Sequence, residues 1–155
     1  MTQDQPGSSV PDRIEHDIVI HAPIERVWRV LTEPRYVAQW YAFDGADLDL
    51  RPGGALAFYW KEHGAFHGRV AGVDPPHRFA YQFAALTPEE QPRQGNATLV
   101  EFTLDWEGAA TRLRIVESGI AGLDVPAAEQ HEHAAHSNLA WANGLAGLRQ
   151  IAERV

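Results

Sequence analysis

Hydrophobic and polar positions alternate with a period of two, then of 3 to 4, then of two, and finally of 3 to 4 again. Ile14, His16, Ile18 and Ile20 share one side of an alternating run, which predicts a strand over residues 14–21. Ala22-Pro23 then opens a segment in which Val27, Trp28 and Leu31 share one helical face. Proline suits the first turn of a helix, where its missing N–H has no helical partner. A second short helix is predicted from Pro34 towards Trp40. Alternation returns with Leu56, Phe58 and Trp60, resumes over residues 66–73, and continues through Phe79, Tyr81 and Phe83. Val100, Phe102, Leu104 and Trp106 face one way on the clearest strand, followed by Leu113 and Ile115.

The breaks between these runs are turn chemistry. Arg51-Pro52-Gly53-Gly54, His63-Gly64, Asp74-Pro75-Pro76, the polar loop of residues 87–95 and Glu107-Gly108 separate successive strands. Short turns between consecutive strands predict an antiparallel meander. From about Ala127 to Val155, Ala134, Trp141, Leu145, Leu148, Ala152 and Val155 form one helical stripe. The order is therefore a strand, two short helices, about six strands and a long helix. That is an α+β layout, in which an amphipathic helix covers one face of a curved sheet. A strongly bent sheet around a helix leaves a gap that serves as a pocket.

Composition narrows the partners. The chain has 155 residues, 45% of them hydrophobic and 22% charged, as expected of one soluble globular domain. Its formal net charge of −8 and the absence of a basic run argue against a nucleic-acid partner. With no cysteine, there is no disulfide, thiol nucleophile or cysteine-based metal site. No apolar run approaches the roughly 20 residues of a membrane span. Residues 1–13 are polar, lack a signal-peptide core and read as a disordered tail ahead of a domain at 14–155, in a cytoplasmic protein.

One stretch resembles a metal motif. His131-Glu132-His133-Ala134-Ala135-His136 begins like a zinc-protease helix, but the second histidine comes one residue late. Positions five apart lie about 140° apart around a helix and cannot clasp one ion in that manner. His133 and His136 are three apart but lack further ligands, so no metal is expected. His136 should face solvent, opposite Trp141, whereas His131 sits at the edge of the inward stripe. No phosphate loop, nucleophile motif or cofactor signature is present.

Four stretches carry a family resemblance. They are Ala22-Pro23 with Val27-Trp28 and a following Trp40; Asp49-Leu50-Arg51-Pro52-Gly53-Gly54; Gly68, Val70 and Asp74-Pro75-Pro76 with Arg78-Phe79; and Thr111-Arg112-Leu113 with the Trp141, Leu145, Leu148 helix. Together they resemble the SRPBCC superfamily, also called START-like or birch-pollen-allergen-like. Within it the chain is similar to homologues of the C-terminal domain of the activator of heat-shock protein 90 ATPase. The last helix has Ala140-Trp141 where relatives often have Gly-Trp, and the final strand ends in Val116-Glu117-Ser118 where they often have histidine. The resemblance implies a helix-grip fold: a curved antiparallel sheet wrapped around the C-terminal helix, with a ligand cavity between them.

On that fold Trp60, Tyr81, Phe102 and Trp141 are candidates for the pocket wall, because large rings stack on apolar ligands. Plain core packing is the competing reading for each. His67, Glu117 and Asn138 are the candidate polar groups. His67 lies between apolar neighbours. Glu117 continues the inward alternation of Leu113 and Ile115, where an unpartnered carboxylate is costly; the competing expectation is a solvated strand end. Asn138 lies within about 60° of Trp141 on an ideal helix, in reach of a ligand, water or a strand. Arg51 and Asp74-Pro75-Pro76 are read as structural turn residues.

Three functions follow. The preferred one is binding of a small apolar molecule such as a lipid, polyketide or aromatic metabolite, without a cofactor. A second is a polyketide cyclase or dehydratase-type enzyme with His67 or Glu117 as acid/base. The third is a module that binds a heat-shock ATPase. Open edge strands leave a homodimer open.

Overall fold

The computed structural model describes residues 10–155. The elements follow the predicted order: β1 (Arg13–Ile20), α1 (Ile24–Thr32), α2 (Pro34–Trp40), β2 (Ala46–Leu48), β3 (Ala55–Trp60), β4 (Gly64–Asp74), β5 (Arg78–Phe83), β6 (Thr98–Glu107), β7 (Ala110–Ser118) and α3 (Ala127–Arg154). A single 3₁₀ turn, Ile120–Gly122, joins β7 to α3. The seven strands make one antiparallel sheet in the order β1-β7-β6-β5-β4-β3-β2. The first strand thus pairs with the last, and the remaining five meander away from it. A register shift between Val70 and Gly72 interrupts the β4–β5 ladder, and such bulges sharpen local twist and bend.

The concave face carries the core. Leu56, Phe58, Val70, Phe79, Tyr81, Val100, Phe102, Leu113 and Ile115 are buried there, with Trp141, Leu145, Leu148 and Ala152 of α3 in the same cluster. Each such side chain contributes roughly 1.5–3 kcal/mol by leaving water. The predicted helical stripe holds from Ala134 to Ala152, and Ser137, Gly144 and Ile151 join it. Val155 lies past the helix end and is exposed. Trp106, expected to face inward, is 65% exposed, edge-on to His77 at 5.8 Å. It lies where β6 turns into β7, and Asp105, Trp106 and Glu107 are all exposed there, so the alternation of burial ends at Leu104.

Two turns bound the strands where the sequence breaks. The Arg51-Pro52-Gly53-Gly54 turn is structural, as expected: a Cβ on Gly54 would stand 2.1 Å from the Asp49 carbonyl oxygen, and Gly53 has φ of 81°. Arg51 is spent on Asp49, with Nε 2.8 Å from Oδ2. The β4 strand ends at Asp74, at the predicted Pro75-Pro76 break.

Residues 1–9 of the expected tail lie outside the described residues. The chain is already anchored before residue 14. The Asp12 carbonyl and carboxylate accept the backbone N–H groups of Ile120 and Ala121, each at 3.1 Å, and Val10 packs on Ile120, Leu123 and Ala134.

Candidate functional site

A cavity of about 460 Å³ opens between α2, α3 and one end of the sheet. Its walls come from Trp40 and Tyr41 at the end of α2, Phe43 beyond it, Trp60, Phe66, Phe83 and Ala85 of the sheet region, and one side of α3. The volume suits a small organic molecule.

The indole walls are held by hydrogen bonds that use up their N–H groups. Trp40 donates its indole N–H to the Val30 carbonyl at 2.9 Å, and Trp60 donates to the Tyr41 carbonyl at 2.9 Å. This second bond fixes the backbone at Tyr41, whose ring stacks on Trp141 (centroids 4.9 Å apart, planes at 15°) and stands edge-on to Trp60 at 5.1 Å. Burial, reinforced by the charge of Glu117, pushes the Tyr41 phenol well above its ordinary range, so it stays neutral. Gly144 faces Trp40, where a Cβ would already stand 3.4 Å from the indole. A Cβ there would rest on the ring in ordinary contact, so position 144 lies where α2 meets α3 at the cavity wall.

The polar end is built on Glu117, which is 2% exposed. It follows Leu113 and Ile115 on the concave side of β7, as the alternation predicts, but it is not solvated. Thr98 Oγ1 donates to its Oε2 at 2.7 Å, His133 Nε2 sits 2.8 Å from the same oxygen, and Trp141 Nε1 donates to Oε1 at 2.9 Å. Ser137 Oγ lies 3.2 Å from His133 Nε2. Burial works against the charge on Glu117, but the hydrogen bond and the charge of His133, with the bonds from Thr98 and Trp141, outweigh it and hold the carboxyl below its ordinary range. The anion is therefore stabilised by three donors without a lysine or arginine.

Of the residues singled out from sequence, Trp60, Glu117 and Trp141 meet in this cavity. Tyr81 and Phe102 are buried behind its wall, with Phe102 edge-on to Trp141 at 5.7 Å. His67 sits elsewhere. Phe66, Gly68 and Val70 point into the core, so His67 faces the other side of the sheet, 3.7 Å from the Glu89 carboxylate. Asn138 is exposed and its Oδ1 is 2.9 Å from His16 Nε2 on β1; it ties helix to strand and does not line the cavity. His133 replaces His131 as the histidine on the inner wall, and His136 is exposed at the mouth beside His63. Among the described residues no three histidine, aspartate or glutamate side chains are grouped to hold a metal. No residue of the 87–95 loop lines the cavity. Phe83 continues the alternation of Phe79 and Tyr81, whereas the contributions of Tyr41, Phe43 and His63 had no signal in the sequence, since each depends on how α2 and the strand ends converge.

Comparison with known proteins places the fold. Residues 21–153 match the sequence model of the family described as Activator of Hsp90 ATPase homolog 1-like protein. Among curated protein sequences, none matches. Protein MLL2253 from Mesorhizobium loti is similar in structure, with a TM-score of 0.76, 21% identity and coverage of 92% of this chain and 98% of that one. The Aha1 dimer from Colwellia psychrerythraea gives 0.70, 23% identity, and 92% and 96% coverage. CalU16 from Micromonospora echinospora gives 0.67, 21% identity, and 92% and 76% coverage. At these identities the likeness shows the helix-grip fold alone.

Proposed function

Since the chain belongs to the Activator of Hsp90 ATPase homolog 1-like family, we propose that it uses the helix-grip cavity to bind a small, largely apolar molecule such as a lipid, polyketide or aromatic metabolite. One observation carries this reading: a cavity of about 460 Å³ lined by seven Phe, Tyr and Trp rings ends in a single buried carboxylate held by three hydrogen bonds. The indoles of Trp40 and Trp60 are satisfied by backbone carbonyls, which leaves ring surface for a ligand.

A cyclase or dehydratase reading has weaker support. His67 is on the wrong face of the sheet, and Glu117 is engaged by three donors that lower its basicity, the opposite of what a general base near neutral pH needs. Docking to a heat-shock ATPase is supported by the family description alone, and a shared fold does not carry function. Among the described residues no helix is long and apolar enough to cross a membrane, and a cytoplasmic protein remains part of the proposal. An edge-paired homodimer is compatible with it, because β1 and β2 each pair on one side only among the described residues.

Native mass spectrometry compared with the denatured mass tests the binding reading directly, together with titration by an apolar naphthalene probe read through tryptophan fluorescence. A retained organic mass, or saturable quenching with one site per chain that weakens in Trp60→Ala, is the expected result. No retained mass and no saturable probe binding would defeat it.

A further inference from the structure

The chemistry of the cavity's inner end specifies more than an apolar occupant. The ionisable groups on its walls are Tyr41, His63, Glu117, His133 and His136; no lysine or arginine contributes. Glu117 is the one acidic side chain among them, and its carboxyl is ionised at neutral pH. A carboxylate offers about four acceptor positions on its two oxygens. Thr98 and His133 occupy two on Oε2, while Trp141 occupies one on Oε1. The remaining acceptor position is on Oε1, the oxygen held by the indole whose ring lines the cavity. An incoming O–H or N–H group completes that set. An incoming anion meets a desolvated like charge, with no lysine or arginine on the walls to offset it.

We propose that the site selects an apolar, flat ligand carrying a neutral or cationic hydrogen-bond donor, read by Glu117 Oε1, and rejects a carboxylate of the same size. This rests on the binding reading above and adds the head-group class. The surrounding rings support the donor class further, because aromatic faces attract N–H and cationic groups and repel anions.

The test compares naphthol, methylnaphthalene and naphthoate, substituted at the same ring position, by isothermal titration on the full chain at about pH 8, above the range where histidine ordinarily titrates. Naphthol is expected to bind about tenfold more tightly than methylnaphthalene, the scale of one charge-assisted hydrogen bond, with naphthoate weakest of the three. In Glu117→Gln the gap between naphthol and naphthoate should close by about the same factor. Should that variant not fold, Thr98→Val serves instead. It keeps the charge, removes a donor to Oε2 and should widen the gap. Naphthoate binding as tightly as naphthol to the unmodified protein would overturn the proposal while leaving the apolar cavity standing. A gap unmoved in the variants would remove Glu117 from the role. Failure of all three probes to bind would count against the binding reading itself.

Discussion

Glu15 and Glu117 lie on paired strands, one register step apart, and live in opposite worlds. Ile14 faces Glu117 across the β1–β7 ladder, and Glu15 faces Val116, so the pleat sends the two carboxylates to opposite sides of the sheet. On the convex side Glu15 meets Arg114 and Arg13 in an exposed ladder that continues through Asp17, Arg112 and Glu107. On the concave side Glu117 meets no full cation from lysine or arginine. Both carboxyls are held below their ordinary range. For Glu15 the hydrogen bond from Arg114 does it. For Glu117 burial opposes the charge, and the hydrogen bond and charge of His133 overcome it together with the donors on Thr98 and Trp141. The same direction of shift therefore has different weight. Water and salt compete for every partner of Glu15. The partners of Glu117 lose their acceptor if it is removed, with little water to replace it.

Truncation separates the two most sharply. Glu117→Ala strands Thr98, His133 and Trp141 and is expected to lower stability by about 3 kcal/mol in urea unfolding. Glu15→Ala should leave the urea midpoint unchanged within error. A Glu15 effect as large as that of Glu117 would break the contrast.

Acid titration sharpens it. The folded state holds the Glu117 proton less tightly than the unfolded chain does. Its contribution is therefore fully present above the ordinary carboxylate range and is lost as pH falls through that range to the depressed folded value. Urea midpoints measured on the way down should drop less steeply in Glu117→Gln than in the unmodified protein. In salt of about 0.5 M the Glu15 part of the slope should shrink while the Glu117 part persists.

Trp141→Phe keeps most of the ring and removes one donor. A loss of about 1–2 kcal/mol in thermal or urea unfolding is expected, smaller than for Glu117→Ala because two donors remain. The smallest effect belongs to Phe43, which is 65% exposed at the cavity mouth. Phe43→Ala should not move the unfolding midpoint, yet should weaken naphthalene-probe binding by about threefold in fluorescence titration.

The contrast between the faces was partly written in the sequence. Alternation placed Glu117 in line with Leu113 and Ile115, and it placed Glu15 opposite the isoleucines of β1. The order of elements, the Pro-Gly-Gly turn and the helical stripe were legible for the same reason: each is set by local periodicity or local backbone geometry. His67 is the instructive miss. Its neighbours Phe66 and Val70 carry the inward parity, so its own odd position already pointed outward. The histidines of α3 show a different limit. On an ideal helix His131 and His133 lie about 80° to either side of Trp141, so periodicity cannot rank them. The choice is made by tertiary placement. Asn138 marks the side that meets His16 of β1, and Ser137 marks the side that meets Glu117. The partners of Glu117 come from β6 and from two turns of α3, separations of 16 to 24 residues that no local pattern encodes.

Gly144 gives this arrangement a property of its own. It borders both Trp40 and the cavity, three turns along α3 from His133 and one turn beyond Trp141, the two helix residues that hold Glu117. How much the chamber holds and which head group it tolerates are thus set by different residues, one helical turn apart at their nearest. A side chain added at position 144 would start against Trp40 and take up space beside it, not at the carboxylate. Capacity and selectivity can then drift independently, one through the bulk carried by a helix and the other through one acid at the end of a strand.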